Sequence, residues 1–411
     1  MRYSYATHLE CSLTGRHYDI GKLQGLSAAN KPLLARYDLE ALKRELTRAE
    51  ISRRAQTLWR WHELLPVPDP SHVVSLGEVE TPLIPLLNSQ RPASYAAPFV
   101  KDEGRLPTGS FKARGLCLAI SMAKVHGVHR VAIPTNGNAG AAMAAYAARA
   151  GIEAFCFCPS DTPEINVREI AAQGAAVWLV NGLITDCAKL VRAGSSEFGW
   201  FDMSTLKEPF RIEGKKTMGL ELAVQFDWQL PDVVFYPTGG GTGLIGMWKG
   251  WQELVELGWI RGPLPRLVAV QSSGCAPIVR AFDRGANEAE PWEHAHTIAW
   301  GIRVPSAIGD FLILRALRES GGFAVAVSDA EIEWARAHVG QCDGLLLSPE
   351  GAATYAAYLQ AAASDRINAT DKVVLFNCAT GLKYALPDDS QTMDVGAPLD
   401  VEAVRRKLRA H

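Results

Sequence analysis

The sequence predicts an α/β architecture of open, mostly parallel sheets flanked by helices, and three observations carry that expectation. From about residue 97 onward, short apolar runs alternate with helical stretches of about 10–15 residues, the rhythm of parallel strands joined by helical crossovers. Glycine-rich or Asn-Gly turns stand where a strand runs into a helix, the place where open α/β sheets put their ligands. The 411 residues exceed what one ordinary core organises, so two domains, or one large unit with an insertion, are expected.

The elements follow in order. Residues 1–70 read as polar and irregular, then helical through "LEALKRELTRAEISRRAQTLWRWHELLP". "APFVKDEG" reads as a strand, "GSFKARGLCLAISMAKVHG" as a helix and "RVAIPT" as the next strand. "NAGAAMAAYAARAG" is an Ala-rich helix stopped at Gly151, because glycine accepts the left-handed conformation that ends helices. "EAFCFCP", "PEINVREIAAQGA", "AVWLV" and "DCAKLVRAGSSEFG" continue the alternation. The rhythm returns with "PDVVFYPTGGGTGLIGMWKGWQELVELG", a strand, glycine loop and helix, and then "PRLVAVQSSG". The helices "SDAEIEWARAHVG" and "SPEGAATYAAYLQAAAS" precede a last strand in "DKVVLFNCATG".

The composition excludes several classes. A net charge of −2 offers no electrostatic reason for a nucleic-acid or membrane-surface partner. The first residues lack an apolar signal core, and no apolar run of about 18 residues is long enough to span a bilayer, so a soluble cytoplasmic protein is the expectation. Cys156 and Cys158 share one strand face, but no second cysteine pair completes a metal-ligand spacing. The eight cysteines therefore read as thiols in a reducing compartment, with no metal expected.

Four segments carry chemistry. In "LPTGSFKARG", Lys112 follows a small-polar turn where Ser110 can cap the helix it opens. A lysine amine forms an imine with an aldehyde, and a helix start disfavours its positive charge; a solvated helix lysine is the plain alternative. In "PTNGNAGAAMAAYAARAG", a strand ends at Asn-Gly-Asn, where Asn138 can present an amide to a ring hydroxyl, or simply turn the chain. In "YPTGGGTGLIGMWKG", backbone amides of the glycine loop and the helix start behind it can make a phosphate cradle, with a flexible linker as the plain alternative. No Gly-Lys-Ser/Thr follows, so it is not a Walker loop. In "VVLFNCATGLKY", Cys378 or Thr380 offers a neutral donor to a pyridine nitrogen, or caps the strand.

These four segments, in this order, resemble fold-type II pyridoxal-phosphate (PLP) enzymes of the tryptophan-synthase-β group, and most closely the threonine synthases. The resemblance runs from about Val79 to Lys383 and is reinforced by "RIEGKKTMGLELA", "WGIRVPSA", "ESGGFAVAVSDAEI" and "SPEGAATYAA". It implies a cofactor cleft between a large domain, 1–104 with 205–411, and a small domain, 105–204. It implies PLP as cofactor, a small amino acid as substrate and a homodimer. Lys112 becomes the imine lysine and proton shuttle, set by Phe111. Asn138 faces the ring hydroxyl, while Gly239, Gly240, Gly241, Thr242 and Gly243 hold the cofactor phosphate. Cys378 or Thr380 meets the ring nitrogen. Lys101, Thr108, Ser110, Thr135, Glu208 and Arg211 become substrate contacts.

The chain departs from the family pattern at Leu106 and Ala113, which flank "PTGSFK" where Asn and Asp are usual. It also carries "EPFR", Glu208 to Arg211, where the family's substrate-phosphate stretch is expected. A carboxylate about 4 Å from a phosphate ester would repel it by roughly 4 kcal/mol at an effective dielectric near 20. The resemblance thus implies a threonine synthase acting on O-phosphohomoserine. The alternatives are a relative with an unphosphorylated substrate (an ammonia-lyase for threonine, serine or diaminopropionate, or a β-replacement enzyme of the cysteate-synthase type) and a non-catalytic binding protein that kept the fold.

Overall fold

A computed structural model describes residues 2–386, 390, 392–396 and 398–409. The chain opens with three short strands, β1 (Ala6–Cys11), β2 (His17–Tyr18) and β3 (Leu33–Tyr37), in an antiparallel sheet ordered β2-β1-β3. This sheet was not expected. Its strands are two to six residues long and carry His, Arg and Tyr, so no clean period-two pattern announces them. The expected long helix after it breaks into Leu39–Glu45, Arg48–Arg53 and a 3-10 stretch, Leu58–Leu64. Asp38 accepts from the Ala41 amide and Thr47 forms a capping box with Glu50, so two helix starts interrupt what reads as one apolar pattern.

β4 (Leu83–Pro85) and β5 (Phe99–Asp102) belong to the main sheet. β6 (Arg130–Pro134), β7 (Glu153–Pro159), β8 (Ala176–Val180) and β9 (Phe201–Asp202) form a separate parallel sheet ordered β8-β7-β6-β9. The chain then returns to the main sheet with β10 (Val233–Pro237), β11 (Arg266–Ser272), β12 (Phe323–Val327) and β13 (Val373–Asn377). Its order is β12-β11-β10-β13-β5-β4, parallel throughout except where β4 meets β5. Every residue of β10 and β13 is buried, which is why these strands read as continuous apolar runs instead of alternating ones.

Three helices bring the two sheets together: Lys112–Val125, Arg211–Gln225 and Thr242–Glu256. The first crosses the second so closely that a Cβ on Gly214 would stand 1.9 Å from the Arg114 carbonyl oxygen. Glycine is required there by contact, not by torsion. Among the described residues no helix is long and apolar enough to cross a membrane.

Candidate active site

A cleft opens where the carboxyl ends of β6, β9, β10 and β13 face one another, and Lys112 lines it. The lysine is the first residue of its helix. Its amine lies 4.7 Å from the centroid of the Phe111 ring. Its ordinary value near 10.5 is pushed down to about 8, first by burial and then by the positive charge of Arg211, against the pull of Cys378 and Glu350. Burial is the largest cause of that lowering.

The opposite wall is the turn after β6. Thr135 lines the cleft, and its hydroxyl accepts the amides of Gly137 and Gly140 at 3.0 and 2.9 Å, tying the turn to the helix Asn138–Ala150. Gly137 sits at φ +121°, which only glycine tolerates easily. Asn138 donates its amide to the Tyr384 hydroxyl at 3.2 Å and leaves its buried Oδ1 without a partner. Tyr384 in turn donates to Glu350 Oε2 at 2.8 Å.

Gly239, Gly240, Gly241 and Thr242 line the cleft from the main sheet. Gly241, at φ +73°, precedes the helix Thr242–Glu256, and no side chain caps that helix start. A Cβ on Gly240 would stand 2.7 Å from the Thr205 methyl and one on Gly239 2.8 Å from Val304, so the loop packs tightly against neighbours that also line the cleft. Gly243, the next residue, is not among those lining the cleft. A Cβ there would meet the Tyr236 hydroxyl at 1.9 Å.

After β13, Cys378 lines the cleft and Thr380 does not. The Cys378 thiol lies 3.6 Å from Ser348 Oγ and 3.8 Å from Glu350 Oε2. Burial and the Glu350 charge push it far above the usual thiol range, so it stays protonated. The Thr380 hydroxyl instead accepts the Leu382 amide, and its own amide donates to Gly109 O.

Five expected substrate contacts are not brought to the cleft. Lys101 points into the layer behind it, where its ammonium donates to Glu221, the Thr81 carbonyl and Gln225 at 2.7–2.9 Å. Thr108, at φ +58°, and Ser110 shape the entry turn, with their hydroxyls buried and unpartnered outside the cleft lining. Glu208 accepts the Phe210 and Arg211 amides at 2.9 Å each, capping the helix that Arg211 begins. Burial raises that carboxyl to about 7 against the Arg211 charge. The Arg211 guanidinium donates to Met203 O at 2.8 Å. Glu208 thus lies outside the cleft lining, its carboxyl engaged by the amides at the start of that helix.

Three residues were not expected at the site. Glu350 accepts the Gly301 amide at 2.7 Å as well as Tyr384, and its only advance signal is the Ser-Pro-Glu helix start. Tyr384 lies beyond the last motif strand. Lys215 stands behind Phe111, 3.1 Å from its ring centroid and 2.6 Å from its carbonyl oxygen. Burial and the nearby Lys112 hold Lys215 well below the usual lysine range.

The family model for "Pyridoxal-phosphate dependent enzyme" matches residues 74–379, three quarters of the chain. The chain belongs to that family. This PLP-dependent enzyme is 32% identical to the threonine synthase of Methanocaldococcus jannaschii over 91% of its own length and 92% of that protein's. It is 34% identical to the threonine synthase of Mycobacterium tuberculosis over 85% and 94%. By fold it is similar to threonine deaminase isoform 2 of Solanum lycopersicum, with a TM-score of 0.61, 20% identity, and 81% and 84% of the chains covered. It is also similar to an L-serine ammonia-lyase of Rhizomucor miehei, with a TM-score of 0.60, 22% identity, and 74% and 94% covered. The fold is type II, and the protein is a PLP-dependent lyase.

The cleft fits that cofactor. Among the described residues no hydrogen bond or ion pair engages the Lys112 amine, an uncapped helix start presents glycine amides, and a buried amide oxygen on Asn138 waits for a partner.

Proposed function

We propose that this enzyme is a threonine synthase, converting O-phospho-L-homoserine and water to L-threonine and phosphate. The observation that carries the reading is 32–34% identity to threonine synthases across nearly whole chains, joined to a cleft with a depressed lysine at its centre.

In this reading Lys112 anchors PLP, and Gly239, Gly240, Gly241 and Thr242 hold its phosphate on the helix start. Bound PLP supplies an electron sink for charge that develops at the substrate's α-carbon. The Lys112 amine, near neutrality, takes the α-proton and then moves protons at the β-carbon. Phe111 fixes the approach of that amine. Asn138, held by Tyr384, orients toward the ring oxygen; its amide ends can exchange by a flip. Cys378, kept protonated, offers the ring nitrogen an uncharged partner and so does not force full ring protonation.

One observation favours a second reading. Lys112 and Lys207 are the only cationic side chains lining the cleft among the described residues, and Lys207 is paired with Asp202 at 3.0 Å. A phosphate ester calls for more free positive charge than that, whereas threonine or serine does not. The second reading is therefore an ammonia-lyase on an unphosphorylated hydroxy amino acid. The purified holoenzyme, given each substrate separately, separates the two. Phosphate and threonine from O-phosphohomoserine support the first. Release of 2-oxoacid and ammonia from threonine or serine, with none from the ester, replaces it with the second.

A further inference from the structure

The N-terminal sheet lies apart from the cleft and carries a cluster the PLP chemistry does not use. His8 and Glu10 are two residues apart on β1, so they share one face, while Leu9 between them is fully buried on the other. His17 on β2 is the register partner of Glu10. One ligand atom from each of the three lies within 4.8 Å of the others. The His8 and His17 rings are 4.0 Å apart between centroids, and His17 Nε2 is 3.8 Å from Glu10 Oε2.

Two details show that these atoms are prepared for a ligand. The Thr7 hydroxyl donates to Arg36 O at 3.1 Å, which uses its single proton. It therefore accepts from His8 Nδ1, 2.9 Å away, and places the ring proton on Nδ1. The lone pair then sits on His8 Nε2, and that buried nitrogen has no partner. Metal-ligating imidazoles likewise have their other ring N–H held by a hydrogen-bond acceptor, which fixes the tautomer. Arg36 takes Glu10 Oε1 through Nε and Nη2, at 3.2 and 2.7 Å, which leaves Oε2 turned toward His17.

We infer that His8, Glu10 and His17 form a binding site for a divalent transition ion, with zinc the best match. Two imidazoles and one carboxylate are a zinc donor set, and a water bound from solvent would complete four-coordination. Tetrahedral bonds near 2.1 Å bring ligand atoms to about 3.4 Å from one another. Small side-chain rotations close the observed spacing, and the exposed His17 leaves an entry path. The ion would clasp β1 to β2, a strand of only two residues, and stabilise the sheet by mass action.

Zinc titrated into the full-length holoenzyme against a chromophoric chelator tests the site, with cobalt as a spectroscopic substitute. One zinc per chain is expected. His8→Gln and His17→Gln should each weaken it at least about 100-fold, and Thr7→Val, which frees the ring to flip, by roughly 10–100-fold. Cobalt should give the intense visible bands of a four-coordinate ion, absent in both histidine variants. Far-ultraviolet ellipticity checks folding, and Glu10→Gln gives an independent reading if a histidine variant misfolds. No zinc binding below millimolar concentrations, or binding unchanged in the His8→Gln/His17→Gln double variant, overturns the inference.

Discussion

One helix carries a lysine and an arginine, two residues apart, with opposite fates. Lys112 faces the cleft, where no described residue pairs with its amine. Two residues on, Arg114 faces the layer behind, where every donor is used. It binds Glu103 at 2.6 and 2.9 Å and Glu221 at 2.5 and 2.8 Å, while Lys101 adds a third bond to Glu221. Two cations meet two carboxylates there, and Thr81 donates to Glu103 at 2.6 Å. Buried polar groups are normally satisfied, so a saturated network beside an unsatisfied cleft separates what holds the fold from what awaits a ligand.

The largest effect should come from the unsatisfied side. Lys112→Ala should lower turnover by about 10^4-fold and abolish the visible absorbance of bound PLP, with little change in melting temperature. A variant that unfolds instead would make Lys112 a structural residue and erase the contrast. On the saturated side, Arg114→Met strands the buried Glu103 carboxylate and leaves Glu221 with Lys101 alone, and should cost about 3–5 kcal/mol in denaturant unfolding. A loss under 1 kcal/mol would show that water reaches this layer.

A smaller effect should appear in pH dependence. The Lys112 amine must be neutral to capture PLP, and its folded value near 8 lies below 10.5. Capture by the apoenzyme should therefore rise with pH through about 8 and level off above it. Arg211→Met removes a cationic neighbour that lowers this value, so the midpoint should move upward, by roughly one unit. A midpoint that stays or falls would leave burial alone as the cause. Cys378→Ser should be the mildest change. It keeps an uncharged donor of similar size, and kcat should stay within about threefold. A larger loss would mean that the thiol itself is needed.

By itself the sequence determined the alternation of strands and helices, the family, the lysine at the head of its helix and the glycine loop after β10. Each is local: a period, a turn or a short motif lies within a few neighbouring residues, and local backbone preference is enough to place it. Only the tertiary structure decided which polar side chains face the cleft. Lys101 is turned away by Glu221, 120 residues further along, and Asn138 is held by Tyr384, 246 residues away. Glu208 is drawn to the backbone amides of a helix start. The same holds for His8 and His17, whose meeting depends on the register of strands too short to announce themselves. A side chain's direction is set by the partner that satisfies it, and that partner is known only once the chain has folded.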